Sequence, residues 1–245
     1  MVEVLWHPQK EVVIKKYQEV LDKTLEEFLK GNEGVLLMLS GGSALEAISN
    51  FKPKNLSPKI TITVLDERYT FDRNLSNYYQ LTKTDFFSEA IMNSCTFINP
   101  VLKQNESIQR TSERFNLELL KWLNLHPNGK IVATQGIGED GHTAGIINIS
   151  DMPKVIQQMF YDEKKFVVNY KPKKDHVNLD GRITVNFTFL KKIDKSLVFA
   201  CGKNKKDILE KVLFKETDKN KYPALIIHEM KDVKVFTDQE IKNIE

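Results

Sequence analysis

The chain has 245 residues, enough to bury a full hydrophobic core in one large domain or in one domain with a small appended lobe. Its apolar fraction of 41% and charged fraction of 28% are those of an ordinary soluble globular protein, and its net charge is only +3. Composition therefore gives no reason to expect a nucleic-acid or membrane partner. The two cysteines have apolar surroundings, and the chain shows neither a signal-peptide pattern nor an apolar run of membrane-spanning length, so we expect a cytoplasmic protein.

The first part of the chain alternates helical and strand patterns. Apolar residues at three- and four-residue steps predict a helix over 8–31, and the apolar run Val35–Leu39 predicts a buried strand. Residues 40–43, Ser-Gly-Gly-Ser, then lead into a helix predicted over 44–51. A small-residue loop between a strand and a helix presents backbone amides to a phosphate, but this loop also suits a tight turn in which Ser43 caps the helix. The local sequence leaves both interpretations open.

A third strand is predicted over residues 60–65, where β-branched residues alternate. Three charged residues follow it at 66–68, Asp-Glu-Arg, and we assign them to a ligand crevice rather than to a solvated strand end. A helix over 75–86, a short strand over 96–98 and an amphipathic helix over 106–124 come next.

A glycine-rich loop follows the predicted central strand, an apolar run over 130–135. Its sequence is Gly136-Ile137-Gly138-Glu139-Asp140-Gly141-His142-Thr143. Glycines let the backbone turn tightly and approach a ligand closely, and open α/β sheets bind ligands at the carboxyl ends of their parallel strands. Asp140 and His142, two residues apart in this turn, are therefore the leading candidates for chemistry.

The same loop satisfies G-x-G-x-x-G, the dinucleotide-binding fingerprint, and Asp162 lies about twenty residues further on, as the ribose-binding acid would. We reject this interpretation for two reasons. Glu139 and Asp140 would place two negative charges against a bound pyrophosphate. Pro153 also comes too soon for the long helix of a βαβ unit.

The rest of the chain is expected to complete the sheet. The predicted elements are a helix over 152–160, strands over 165–168, 182–185 and 197–200, a helix after Gly202, and strands over 224–227 and 233–236. The basic segment 171–174 is expected to be a solvated connection. Lysines 203, 205 and 206 lie near the start of the helix after Gly202, where cations oppose the helix dipole, so their placement suggests a bound anion.

Alternating strands and helices predict an α/β fold with a mostly parallel, doubly wound, Rossmann-like sheet and helices on both faces. We expect residues 1–245 to form a single domain, with room for a small extra lobe.

Six short motifs, in this order and spacing, resemble those of the 6-phosphogluconolactonases, a family within the glucosamine-6-phosphate deaminase/isomerase superfamily. They are residues 40–43, 66–68, 76–78 (Ser-Asn-Tyr), 136–144, 182–184 (Arg-Ile-Thr) and Gly202-x-x-Lys205. The resemblance covers almost the whole chain. It implies hydrolysis of 6-phospho-D-glucono-1,5-lactone to 6-phosphogluconate, a step of the pentose phosphate pathway. It also implies a small-molecule sugar phosphate lactone as the partner, with no cofactor and no metal.

The resemblance implies a catalytic role for three side chains. His142 would activate water as a general base, because histidine exchanges a proton near neutral pH. Asp140 would orient the imidazole or stabilise its charged form. Asp66 would bind sugar hydroxyls or assist the water, and the sequence does not decide between these roles. Backbone amides of the glycine loop, with Gly138 among the substrate-binding residues, would donate to the oxyanion.

The resemblance also implies a site for the 6-phosphate. The candidate ligands are the backbone amides of Gly41, Gly42 and Ser43 and the side chains of Arg68 and Lys205. Arg182 is a further candidate, with pairing to a carboxylate as its alternative role. Because the chain has only five arginines, each is a candidate for a position that needs a planar, forked cation.

Two segments depart from the usual lactonase pattern. Ala44-Leu45 stands where Thr-Pro is common, and residues 145–148, Gly-Ile-Ile-Asn, stand where Ser-Leu-Phe-Pro is common. Deaminases carry a catalytic glutamate five residues after the histidine, where this chain has Ile147, so the lactonase is favoured. The alternatives are a deaminase or isomerase with Asp66 as its base, a sugar-phosphate sensor without turnover, and a purely structural protein.

Overall fold

Two β-sheets organise the part of the chain that the structure, a computed structural model, describes: residues 2–172, 181–214 and 218–241. The strands are β1 (Val2–Trp6), β2 (Val35–Leu39), β3 (Ile60–Val64), β4 (Asp66–Arg68), β5 (Thr96–Phe97), β6 (Lys130–Gly136), β7 (Val167–Tyr170), β8 (Arg182–Val185), β9 (Lys195–Phe199) and β10 (Val233–Thr237). The helices are α1 (Lys10–Leu29), α2 (Ser43–Glu46), α3 (Asn77–Thr82), α4 (Asp85–Met92), α5 (Ile108–Leu125), α6 (Lys154–Met159), α7 (Phe187–Leu190) and α8 (Lys206–Leu213). Two 3₁₀ turns cover Lys203–Lys205 and Pro223–His228.

The larger sheet has seven strands in the order β1-β10-β9-β6-β2-β3-β5, and every neighbouring pair is parallel. From β2 the chain moves outward to β3 and β5, and β6 then returns to the other side of β2. The direction of winding therefore reverses between β2 and β6. In open α/β sheets a crevice forms at this reversal, outside the carboxyl ends of the two strands.

Each face of the larger sheet carries its own hydrophobic core, which confirms the predicted doubly wound architecture. Successive residues of β2 point to opposite faces, so Leu36 and Met38 join one core while Val35, Leu37 and Leu39 join the other. Helices α1 to α4 cover the second face, with Tyr17 and Phe86 fully buried there. Helices α5 and α8 cover the first.

The smaller sheet, β4-β8-β7, is antiparallel and shares the core beneath α5. It is the small additional unit for which the sequence left room. Leu65 links the two sheets, because its N–H donates to Leu39 and its carbonyl oxygen accepts from Val185. The three charges at 66–68 are thus a separate strand, not the end of β3.

Three predicted elements were wrong. Residues 224–227 form a 3₁₀ turn instead of a strand: Pro223 opens the turn, and a short buried apolar run does not distinguish the two conformations. The helix predicted over 75–86 is two helices, because the hydroxyl of Thr84 accepts the N–H of Phe87 and starts a second one. The helix predicted over 44–51 keeps helical geometry only in α2.

Two further elements were missed. Strand β1 lies at the sheet edge beside β10 and is partly exposed, so it lacks a continuous apolar pattern. Helix α7 is a single turn. Positions 173 and 174 of the predicted basic segment lie outside the described residues. Within the described ranges, no helix combines the length and apolarity that crossing a membrane requires.

Candidate active site

A cavity of about 220 Å³ opens where the loops after β2 and β6 meet, at the reversal of winding. It contains most of the predicted site residues: Gly41, Gly42, Ser43, Asp66, Arg68, Gly138, His142, Arg182 and Lys205. Asp140 is the predicted site residue that is not part of the wall. Its carboxylate instead contacts the imidazole of His142, which lines the cavity. The topology explains this convergence, since neighbouring parallel strands end at the same edge of the sheet.

The side chains of His142 and Asp140 form a pair within the loop after β6. The imidazole Nδ1 lies 2.5 Å from Asp140 Oδ1, which also accepts the backbone N–H of His142 at 3.1 Å. Partial burial alone would raise the pKa of Asp140, but the hydrogen bond from His142 and the charge of its ring when protonated outweigh burial and hold that pKa well below its ordinary value. An ionised carboxylate only accepts, so Nδ1 carries the proton and Nε2 is the basic nitrogen.

Gly138 leaves room for this pair because it has no side chain. A Cβ at position 138 would lie 2.0 Å from His142 Nδ1 and 2.7 Å from Asp140 Oδ1. The amide of Gly138 is already used, because it donates to the carbonyl oxygen of His142 at 2.9 Å. This amide therefore holds the turn of its own loop, and the expectation that amides of the glycine loop donate to an oxyanion rests on the other amides of the loop.

The segment after His142, in which residues 145–148 depart from the lactonase pattern, is held by hydrogen bonds of Thr143 and Tyr170. Thr143 Oγ1 donates to the carbonyl oxygen of Gly136 at 2.8 Å. The hydroxyl of Tyr170 donates to the Gly145 carbonyl oxygen at 2.6 Å and accepts the Ile147 N–H at 2.8 Å. Sequence reasoning missed Tyr170, because its role depends on the pairing of β7 with β8.

Asp66 lies between two arginines in the cavity wall. Its Oδ2 is 3.7 Å from Arg68 Nε and 3.7 Å from Arg182 Nη1. The register of β4 and β8 places Arg68 directly opposite Arg182, so the carboxylate offsets two like charges that would otherwise repel. Arg182 thus has both expected placements, beside a carboxylate and in the cavity.

Gly145 allows this arrangement of Asp66. Its φ of +70° favours glycine, and a Cβ there would lie 2.4 Å from the Cβ of Asp66. The glycine that departs from the usual lactonase pattern is therefore in direct contact with a predicted catalytic carboxylate.

Glu67 points away from the cavity, so the predicted crevice includes only two of the three charges at 66–68. Side chains alternate along a strand, which places Asp66 and Arg68 on one face of β4 and Glu67 on the other. Its carboxylate accepts from four donors: the amides of Arg68, Asn77 and Tyr78 and the hydroxyl of Ser76. Burial raises the pKa of Glu67, and these donors oppose the rise. Glu67 therefore fixes the start of α3 against β4.

Comparison with known proteins assigns the chain to a family. Residues 8–236 match the family model described as glucosamine-6-phosphate isomerases/6-phosphogluconolactonase. The chain belongs to this family.

Individual members of the family are distant in sequence and close in fold. A Dictyostelium discoideum protein named probable 6-phosphogluconolactonase is 25% identical over 202 residues, 81% of each chain. The Xylella fastidiosa 6-phosphogluconolactonase is 24% identical over 209 residues, 80% of this chain and 78% of that one. A solved 6-phosphogluconolactonase from Plasmodium vivax has a TM-score of 0.76 at 17% identity, covering 98% of this chain and 91% of that chain. At that identity the structural likeness shows the fold.

The glycine loop after β2 also forms part of the cavity wall. Gly42, at φ +62°, precedes α2, and no side chain caps the helix. Ser43 is the first helical residue, so the interpretation of Ser43 as a helix cap is wrong. Gly41, Gly42 and Ser43 all line the cavity.

Lys205 supplies a half-buried cation to the cavity wall. Burial lowers its pKa, while the negative charges of Glu139 and Asp140 oppose that shift. Lys203 and Lys206 are exposed and are not part of the wall. Of the three lysines at the start of this helix, Lys205 is therefore the candidate to bind the expected anion. Within the described ranges, no group of three or more His, Cys, Asp or Glu side chains is arranged to hold a metal ion.

Proposed function

We propose that this chain hydrolyses 6-phospho-D-glucono-1,5-lactone to 6-phosphogluconate. The observation that carries the proposal is the His142–Asp140 pair at a cavity that also holds two arginines and a lysine. A general base beside a cationic pocket suits a phosphorylated substrate whose carbonyl is already reactive. Both curated relatives carry the lactonase name, which supports the same assignment.

His142 acts as the general base in this proposal. With Nδ1 bound to Asp140, Nε2 takes a proton from a water molecule, and the hydroxide oxygen forms a bond to the lactone carbonyl carbon. The tetrahedral intermediate then collapses, and its bond to the ring oxygen breaks. The imidazolium returns the proton to that oxygen, which becomes a hydroxyl group. Asp140 stabilises the charged imidazole between the two transfers.

The 6-phosphate is remote from the reacting carbon, so its binding positions the ring. We assign it to the amides at 41–43 and to the side chains of Arg68 and Lys205. Arg68 is well placed for this role, because its Nη1 donates to the carbonyl oxygen of Leu75 at 2.8 Å and its guanidinium is thereby held in the wall. We assign Asp66, whose charge two arginines offset, to substrate hydroxyls.

A deaminase or isomerase is the second candidate, because the family description includes glucosamine-6-phosphate isomerases. In that chemistry Asp66 would abstract a proton. The position of the deaminase glutamate is occupied by Ile147, whose side chain is buried and carries no carboxylate. This favours the lactonase.

The proposed reaction needs neither a cofactor nor a nucleic-acid or membrane partner. We place it in the cytoplasm. Cys95 and Cys201 are buried free thiols, which is typical of proteins from a reducing compartment.

The test compares lactone hydrolysis, corrected for the spontaneous rate, in the wild type and in His142→Ala. We expect the wild type to accelerate hydrolysis and the variant to lose at least about a hundredfold of kcat, as for loss of a general base. His7→Ala is a matched control, because His7 lies outside the cavity wall. Equal rates in wild type and His142→Ala would contradict the mechanism. Ammonia release from glucosamine 6-phosphate would indicate the deaminase, and binding of 6-phosphogluconate without turnover would indicate a sensor.

A further inference from the structure

The side-chain amide of Asn77 is buried in the cavity wall with one of its atoms unpaired. Asn77 is 1% exposed and lines the cavity at the first residue of α3. Its Nδ2 donates to the backbone carbonyl oxygen of Asp66 at 2.9 Å. Its Oδ1 is buried and has no hydrogen-bond partner among the described residues. Buried polar atoms are almost always paired in native proteins, so an unpaired acceptor on a side chain that lines a ligand cavity needs an explanation.

The orientation of this amide follows from its partner. A backbone carbonyl oxygen only accepts, so the nitrogen of Asn77 must face Asp66 and the oxygen must face away from it. The oxygen points toward the loop after β2: a Cβ on Gly41 would lie 2.1 Å from it. Glycine at position 41 is what allows Oδ1 to reach this wall. Glu67 fixes the backbone beneath, because it accepts the N–H of Asn77 at 2.8 Å.

We propose that Asn77 Oδ1 accepts a hydrogen bond from a hydroxyl group of the sugar lactone and so makes Asn77 a specificity-determining residue; this rests on the proposed function. The oxygen needs a donor. The lactone carbonyl, the ring oxygen and the ionised phosphate oxygens are acceptors, which leaves the ring hydroxyls as the donors of this substrate. The same oxygen repels the phosphate from its own position, and therefore directs it toward Arg68 and Lys205.

A site that hydrogen-bonds a substrate hydroxyl rejects an analogue that lacks it, because the buried protein atom is then left unpaired. The test uses the lactone 6-phosphate and its 2-deoxy, 3-deoxy and 4-deoxy forms with wild type and Asn77→Ala. In the wild type we expect one deoxy form to lose about tenfold or more in kcat/KM. In Asn77→Ala we expect kcat/KM for the parent lactone to fall by a similar factor. For that deoxy form, we expect the substitution to lower kcat/KM little further. Such non-additivity reports direct contact between the two groups removed.

Asn77→Asp distinguishes the proposed acceptor role of Oδ1 from the hydrogen bond by which Nδ2 anchors Asn77 to Asp66. The aspartate keeps an acceptor oxygen but loses the donor to the Asp66 carbonyl. Discrimination against the same deoxy form that survives in Asn77→Asp and vanishes in Asn77→Ala supports the proposal. Equal loss of discrimination in both variants would show that Asn77 serves only to anchor β4, and would overturn the proposal. Thermal unfolding of each variant shows whether the fold is retained.

Failure of this proposal is distinguishable from failure of the lactonase assignment. Hydrolysis of the parent lactone by the wild type, with no penalty for any deoxy form or with strictly additive losses, would overturn the role of Asn77 alone. Absence of hydrolysis would overturn the lactonase. In that case, calorimetry can measure the binding of 6-phosphogluconate and its deoxy forms to wild type and to Asn77→Ala. This measures the coupling between Asn77 and the hydroxyl group without turnover. Additive losses of binding free energy would overturn the proposed contact.

Discussion

His142 donates two hydrogen bonds to one carboxylate oxygen of Asp140, from its imidazole Nδ1 at 2.5 Å and from its backbone N–H at 3.1 Å. Gly141 lies between them at φ +81°, a conformation that favours glycine. The pair is therefore built within a single turn of the chain.

Replacing Asp140 by Asn tests that alignment. An amide nitrogen facing Nδ1 would stabilise the tautomer that carries its proton on Nε2, and this nitrogen would then no longer act as a base. We expect kcat for lactone hydrolysis to fall by about a hundredfold or more, with a smaller change in KM. Glu139→Gln in the same loop is the control, because it removes one negative charge outside the cavity wall. Equal losses in both variants would show that charge, not ring orientation, matters.

The depressed pKa of Asp140 also predicts a pH dependence of stability. Because the folded-state value lies below the ordinary carboxyl value of about 3.9, Asp140 stabilises the fold above that pH. This contribution is lost as the pH falls through the lower folded-state value. We expect the difference in free energy of unfolding between wild type and Asp140→Asn to shrink from about pH 5 toward about pH 2, as measured by urea denaturation. A difference that is constant over this range would contradict the assignment.

Gly138→Ala is expected to disable the site without unfolding the protein. The new Cβ would lie 2.0 Å from His142 Nδ1, so the imidazole must move away from Asp140. We expect a loss of kcat of about a hundredfold, close to the loss in His142→Ala. Gly136→Ala is the matched control, because the nearest atom to its Cβ would be the Phe199 carbonyl oxygen at 4.0 Å. Comparable losses in the two alanine variants would argue against a specific clash.

Gly145→Ala is expected to destabilise the fold by about 1–3 kcal/mol through backbone strain, with a further cost from contact with Asp66. Gly42→Ala is a comparison without a collision: Gly42 also has a positive φ, +62°, with ψ −144°, and a Cβ added at this position would meet no atom within 4 Å. Urea denaturation of both variants therefore separates strain from collision. A loss in Gly145→Ala no greater than backbone strain alone, about 1–3 kcal/mol, would show that the contact of Gly145 with Asp66 is unimportant.

Lys205→Ala tests the phosphate assignment. Removing a half-buried cation from a phosphate site is expected to raise KM for the phosphorylated lactone by about tenfold or more. KM for unphosphorylated gluconolactone should change little. Lys203→Ala serves as the control, because Lys203 lies in the same 3₁₀ turn but is exposed and outside the cavity wall. An equal effect on both lactones would remove Lys205 from the phosphate site.

Much of the fold was predictable because its signals are local. Strands β2 and β8 have the predicted bounds, and the predicted central strand, β6, lies in the middle of the sheet. The failures occurred where local sequence is ambiguous. Residues 224–227 are buried and apolar in either conformation, and the edge strand β1 lacks a continuous apolar pattern because it is partly exposed.

The sequence by itself placed Asp140 and His142 two residues apart in one glycine turn, and it determined the α/β class through the alternation of its elements. Only the tertiary structure decided which charges face the cavity. Asp66 and Arg182 meet through the antiparallel pairing of β4 with β8, and the alternation along β4 turns Glu67 away. The unpaired oxygen of Asn77 likewise depends on a helix start that Glu67 holds against β4. Strand register and side-chain direction join residues far apart in the chain, and no local pattern encodes them.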